Sequence, residues 1–138
     1  MNVDELHKLV NNKIKEIQLL QHHHLRVSSH NKVRPDDPPR DAFLIQLSIG
    51  SRAPFPFEEA NCPFFDFWYN RENNLIEDIT IDLKDLNGQG VGAKLVKAIE
   101  ELGRALGCKM VQTVDNFNPE FWQEMKYEKA GEFWQREL

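Results

Sequence analysis

Apolar residues along the chain switch between two periods, and the switches divide it into elements. Val3, Leu6, Val10, Ile14, Ile17 and Leu20 recur every three or four residues, with Lys8, Asn12, Lys15 and Glu16 on the other side. That spacing predicts an amphipathic helix over residues 3–24, laying one stripe on a core. Asn2 with Glu5 three residues later suits a capping box at its start. Residues 28–41 carry three prolines, several charges and almost nothing apolar, so they read as a loop. Ala42 to Ile49 is largely apolar and bounded by Gly50, which predicts a strand away from an exposed edge. Pro54, Pro56 and Pro63 punctuate a connection that holds Phe55 and Phe57. Phe64 to Tyr69 is the next predicted strand and Asn70 to Asn74 a turn. Leu75 to Leu83 follows, with Ile79, Ile81 and Leu83 alternating against Asp78, Thr80 and Asp82. These two strands form an expected antiparallel hairpin.

The second half changes period again. Val91, Leu95, Ala98, Ile99, Leu102 and Leu106 make a helical stripe over 90–106, and Gly107 is placed to cap it. Lys109 to Asp115 is a further strand. Its short links to the helix predict that the strands at 75 and 109 are parallel, joined by a right-handed crossover. Asn118-Pro119 pairs a capping side chain with proline at the first helical position, so a short helix runs from Pro119 to Met125. A turn around Lys129 to Gly131 and a strand from Glu132 to Glu137 close the chain. The class is therefore α/β with a mixed sheet, read as a single domain over 1–138.

Composition narrows the partners. The chain has 138 residues, 41% of them hydrophobic and 28% charged, enough to bury a core without staples. A net charge of -5 argues against binding driven by nucleic-acid phosphates. The N-terminus lacks a signal-peptide pattern and no stretch approaches the length of a membrane span, so a cytoplasmic protein with no membrane partner is expected. Cys62 and Cys108 stand far apart in dissimilar contexts and read as ordinary thiols of a reducing compartment. A homodimer is left open.

Two stretches invite chemistry. His22-His23-His24 ends the predicted first helix, with His7 and His30 elsewhere in the same third of the chain. Successive helical residues point about 100° apart, so three adjacent imidazoles do not converge on one metal. No metal is expected, and protonated histidines suit the negative end of a helix dipole. The other stretch is Asn87-Gly88-Gln89-Gly90-Val91-Gly92, entered by a strand and left by a helix. Its glycines let the backbone approach a ligand, and the first-turn amides favour a phosphate. A tight turn that uses glycine only for steric reasons reads equally well from the spacing.

Leu83 through Leu95, with Asn-Gly-Gln-Gly-Val-Gly ahead of a helix, resembles the acyl-CoA binding segment of the GNAT superfamily of N-acyltransferases, Gln/Arg-x-x-Gly-x-Gly/Ala. Phe121-Trp122-Gln123-Glu124-Met125-Lys126-Tyr127 is similar to that family's Phe-Tyr-Glu-Lys-Leu-Gly-Phe, in the expected order. The resemblance covers about residues 75–131. It implies a central sheet splayed between the two parallel strands, helices on both faces, and acetyl-CoA or another acyl-CoA as cosubstrate with an amine as acceptor. The pantetheine arm would pair with backbone near Ile81 and Leu83, and the pyrophosphate would lie on Gly88, Gln89, Gly90, Val91 and Gly92. Lys94 could add a phosphate contact. Asn87 replaces the usual Arg or Gln, Trp122 the tyrosine that protonates the leaving thiolate, and Lys126 a glycine. Glu77, Asp78, Asp82 and Asp115 flank the expected splay as candidate bases, and Tyr127 is the candidate acid. The resemblance thus implies an N-acyltransferase, with a CoA-binding domain that has lost the chemistry as the alternative.

Overall fold

A computed structural model describes residues 2–16, 23–30, 36, 41–49, 63–83, 90–114 and 118–138. Ten elements follow in order: α1 (Val3–Lys15), β1 (His23–His30), β2 (Ala42–Ile49), β3 (Phe64–Asn70), β4 (Leu75–Asp82), α2 (Val91–Ala105), β5 (Met110–Thr113), α3 (Pro119–Glu124), β6 (Glu128–Ala130) and β7 (Phe133–Glu137). The strands form one sheet in the order β1-β2-β3-β4-β5-β7-β6. All neighbours run antiparallel except β4 and β5, the pair that α2 connects.

Alternation decides what each sheet face carries. In β3, Phe65, Phe67 and Tyr69 are buried while Phe64, Asp66 and Trp68 are half-buried on the other face. In β2, Phe43, Ile45 and Leu47 point the same way as Phe65 and Phe67, to which the register joins them. Against this apolar face lie α1, through Leu6, Val10 and Ile14, and α2, through Leu95, Ala98, Ile99 and Leu102. Phe67 packs where the two helices meet. Lys13 Nζ on α1 reaches Glu101 Oε2 on α2 at 3.0 Å along the rim of this contact.

Several boundaries and caps differ from the sequence reading. The helix expected to reach residue 24 is Val3–Lys15, and His23–His30 is a strand that also takes the first residues of the expected loop over 28–41. The missed signal is Leu25 and Val27 alternating with Arg26 and Ser28: Val27 is buried and pairs with Ile45. His23 and His24 therefore do not end a helix. His23 Nε2 lies 2.8 Å from Asn11 Oδ1, and His7 Nε2 lies 3.2 Å from the Leu25 carbonyl, so both imidazoles tie α1 to β1. His22 lies outside the described residues. The turn expected at 129–131 is moved by β6, whose residues pair with β7 around a turn at Gly131. Asn118 makes no side-chain cap to α3, whereas Asn2 Oδ1 does accept from the Glu5 amide at 2.9 Å, half of the expected box.

Both later helices end in the same way. After α2 the amide of Gly107 bonds the Arg104 carbonyl and that of Cys108 the Gly103 carbonyl, with Gly107 at φ +79°. This is the Schellman arrangement, which needs a left-handed residue just past the cap. After α3, Lys126 bonds Gln123 and Tyr127 bonds Trp122, but the left-handed residue is Lys126, at φ +70°. A side chain in that conformation costs about 1–2 kcal/mol relative to right-handed backbone. Lys126→Gly is expected to raise the stability by about 1 kcal/mol, a rise of roughly 3 °C in thermal unfolding, despite glycine's larger unfolded entropy. Unchanged or lower melting in a calorimetric scan would contradict this account of the α3 terminus.

Candidate functional site: the cleft where two parallel strands part

The parallel pairing of β4 with β5 covers only Leu75 with Met110, Ile76 with Val111 and Glu77 with Gln112. Beyond it β4 changes course. Asp66 pairs with Thr80 and Trp68 with Glu77, so Phe67 faces two residues, Asp78 and Ile79, across a bulge. Asp78 takes φ +54°, a left-handed conformation that aspartate tolerates better than most residues. Where the ladder stops, a side chain takes its place. Thr113 Oγ1 accepts from the Ile79 amide at 3.1 Å and donates to the Ile79 carbonyl at 3.3 Å, and Thr113 is fully buried. One hydroxyl satisfies both backbone groups and holds the strands at a fixed separation.

The parted strands open a cleft of about 370 Å³. Ile79, Ile81 and Leu83 form the β4 wall, Gly90, Val91, Gly92 and Ala93 the start of α2, and Asn118, Phe121, Trp122 and Glu124 the wall at α3. Gly90 caps α2 at φ +73°, with no side-chain cap. The amide of Lys94 makes a 3.2 Å bond back to the Gly90 carbonyl, so those of Val91, Gly92 and Ala93 precede the intrahelical ladder at the positive end of the helix dipole. A β-carbon on Gly92 would lie 3.6 Å from both Leu83 and Phe121, so the walls close to side-chain distance there. The cleft is apolar along one strand and presents amide donors at one end. It fits a narrow apolar arm that carries an anion.

Ile81, Leu83, Gly90, Val91, Gly92 and Trp122 thus meet around one space. Asn87, Gly88, Gln89 and Asp115 lie outside the described residues. Lys94 is exposed on α2 and is not part of the lining. Glu77 Oε1 accepts from Asn70 Nδ2 at 3.1 Å, before the bulge, while Asp82 sits at the far end of β4 opposite Phe64. Asp78 is exposed at the bulge itself. Tyr127 lies beneath the α3 wall: its ring packs edge-on against Trp122 at 4.9 Å and its hydroxyl donates to Glu100 Oε2 at 3.1 Å. Burial raises the Tyr127 pKa far above the usual phenol value, and the Glu100 charge raises it further. Arg136 completes the group, 3.6 Å from Glu100 and donating to the Met125 carbonyl at 3.0 Å. Burial pushes the Cys108 thiol up to about 11, so it is an inert core group.

No family model matches the chain, and no curated protein matches it. Solved structures do. An acetyltransferase from Bacillus cereus aligns over 95% of this chain and 90% of its own, with 12% identity and a TM-score of 0.47. Nourseothricin acetyltransferase aligns over 83% of this chain and 84% of its own, with 18% identity and a TM-score of 0.44. Among the described residues no helix is long and apolar enough to cross a membrane.

One residue that the sequence reading passed over stands out on the opposite side of β4. Asp66 on β3 is half-buried and hydrogen-bonded by Thr80, and its pKa is raised to about 6 by burial, with the Thr80 bond opposing the shift. The sequence signal was Phe64-Phe65-Asp66-Phe67-Trp68, a carboxylate inside an aromatic strand. A raised carboxyl pKa means that the folded state holds its proton more tightly than the unfolded chain, so stability falls as pH rises from the unfolded value near 4 through about 6. Asp66→Asn is therefore expected to be more stable than the wild type at neutral pH, by about 1–2 kcal/mol after allowing for solvent screening, and equal to it below about pH 4. Denaturant unfolding across this range checks the sign. A difference independent of pH would remove the burial account of Asp66.

Proposed function

We propose that the protein is an acyl-CoA dependent N-acyltransferase of GNAT type, transferring an acyl group, acetyl in the simplest case, to a primary amine. The observation that supports it most is the cleft at the parting of β4 and β5, apolar along Ile79, Ile81 and Leu83 and ending on the amides of Val91, Gly92 and Ala93. In this reading the pantetheine arm lies along β4 with backbone contacts near Ile81 and Leu83. The pyrophosphate rests on the start of α2 and on the preceding Asn87, Gly88 and Gln89, with Lys94 near the phosphates. Trp122 closes the far wall. Acyl-CoA supplies the activated thioester; the chain supplies orientation, which by itself removes a large part of the barrier between two bound reactants.

A second reading, a CoA-binding domain without turnover, draws on the α3 wall. The family tyrosine is replaced by Trp122, whose indole donates a hydrogen bond but is no proton source. The nearby phenol of Tyr127 is engaged by Glu100.

Both readings require CoA binding. Acetyl-CoA and CoA at about a hundred times their dissociation constants are expected to stabilise the fold by about 2.7 kcal/mol in a thermal-shift titration. Gly92→Leu, which projects between Leu83 and Phe121, is expected to fold and to abolish the shift. No shift in the wild type at saturating cofactor removes both readings. If the shift occurs, release of free thiol with an amine panel distinguishes the transferase from the binder.

A further inference from the structure

We propose that the acyl group is delivered on the phosphopantetheine arm of a small acidic carrier protein, which docks along the outer face of α2. This assignment rests on the acyl-transfer reading above and names the partner that brings the donor. The outer face of α2 is a basic stripe. Lys94, Lys97, Glu101 and Arg104 are exposed and recur at helical spacing, so they share one side of the helix. The opposite side, with Leu95, Ala98, Ile99 and Leu102, is buried on the sheet. Glu101, the anion of the stripe, is already engaged by Lys13 Nζ of α1 at 3.0 Å. No ion pair or hydrogen bond joins the side chains of Lys94, Lys97 and Arg104 to another described residue. On a chain of net charge -5, this row of unpaired cations makes a local field of the opposite sign to the whole.

Position ties this stripe to the cleft. Lys94 directly follows Ala93, the last cleft residue of α2, and its own amide bonds the Gly90 carbonyl. The stripe therefore starts at the anion-binding end and runs along the axis to Arg104, about 15 Å away. A single phosphate seated on the amides of Val91, Gly92 and Ala93 reaches Lys94 but not Arg104. A partner that engages the whole row carries its negative charge over a comparable length, as an acidic helix does. A long nucleic acid meets the acidic remainder of the chain, whereas a small protein touches the stripe alone, and charges beyond about a Debye length of 8–10 Å are screened.

The chemistry of the arm fits the same cleft. A carrier-linked acyl group ends in a thioester, continues as pantetheine and joins its protein through one phosphodiester. Its phosphate then lies on the α2 amides and its narrow arm along Ile79, Ile81 and Leu83, as for the free cofactor. The carrier body sits where the arm leaves the cleft, outside the first turn of α2 and beside Lys94 and Lys97. Charges at the rim of such a contact speed encounter and fix orientation more than they add affinity. On transfer the carbon–sulfur bond breaks and the carbon–nitrogen bond to the amine forms. One proton passes from nitrogen to the departing sulfur, so the products are an amide and a carrier with a free thiol.

Fluorescence anisotropy of a labelled acidic acyl carrier protein of fatty-acid synthesis, in apo, phosphopantetheine and acetyl-phosphopantetheine forms, tests docking on the full chain at low ionic strength. The acetyl form is expected to bind more tightly than the apo form, and its binding to weaken as salt is raised. Lys97→Glu combined with Arg104→Glu is expected to weaken it about tenfold or more. Both positions are exposed and outside the cleft lining, so the fold and the acetyl-CoA thermal shift are expected to stay as in the wild type. The proposal is overturned if the acetyl form does not bind, if the apo form binds as tightly, or if the charge-reversed variant binds like the wild type. Loss of the CoA shift in that variant also overturns it and gives the stripe to the cofactor's own phosphates. Phosphatidylserine vesicles that bind through the stripe when the carrier does not overturn it in favour of a membrane surface. An acetyl-CoA shift without carrier binding removes the docking surface and leaves the acyl-transfer reading. Arm-dependent carrier binding in a protein that ignores acetyl-CoA removes the free cofactor and keeps the docking surface. Carrier binding that ignores the arm, with no acetyl-CoA shift, removes both.

Discussion

Two parallel strands that stop pairing after Glu77 set the conditions for everything around them. Backbone donors and acceptors past the end of a ladder need partners when they are buried. Thr113 meets that need for Ile79 with a single hydroxyl, which lets the strands separate without leaving polar groups stranded. The bulge at Asp78 and Ile79 turns β4 away. Together they make a gap in the middle of a hydrogen-bonded sheet, apolar along β4 and polar at Asn118 and Glu124.

The start of α2 meets this gap because the crossover from β4 to β5 must pass over its mouth. Gly90 ends the loop in a conformation open to glycine, so the first amides of α2 carry no side-chain cap. On the other wall, Trp122 stands on a short helix that few of its own bonds could hold. Its support comes from below, through Tyr127, Glu100 and Arg136, which join the end of α3 to α2 and β7. A buried carboxylate is tolerable there because a hydroxyl and a guanidinium both reach it. The same bond ties the Tyr127 hydroxyl to Glu100.

The other sheet face follows a different logic. Strand alternation gives β3 an apolar side for the helices and a mixed side with Asp66 between Phe64 and Trp68. Holding a carboxylate half-buried among aromatic rings destabilises the folded chain at neutral pH.

Periodicity alone was enough for β2, β3, β4, α2 and the parallel crossover, since each has a clean repeat and clear ends at Gly50, Asn70 to Asn74 and Gly107. The resemblance of the glycine segment and of Phe121 to Tyr127 to the GNAT motifs implied that Ile81, Leu83, Gly90, Val91, Gly92 and Trp122 lie together, and they do line one cleft. The strand β1 was not legible in the same way, because Leu25 and Val27 are too few to overrule the helical stripe ahead of them until β2 is there to pair with. Nor were the bulge, the Thr113 bridge or the neighbours of Asp66 legible. Each depends on register between strands distant in the chain, and a one-residue slip would place these side chains on the opposite face. Local pattern thus determined most of the elements and the order of strand, glycines and helix. Tertiary register decided where the ladder between β4 and β5 stops and which hydroxyl spans the gap.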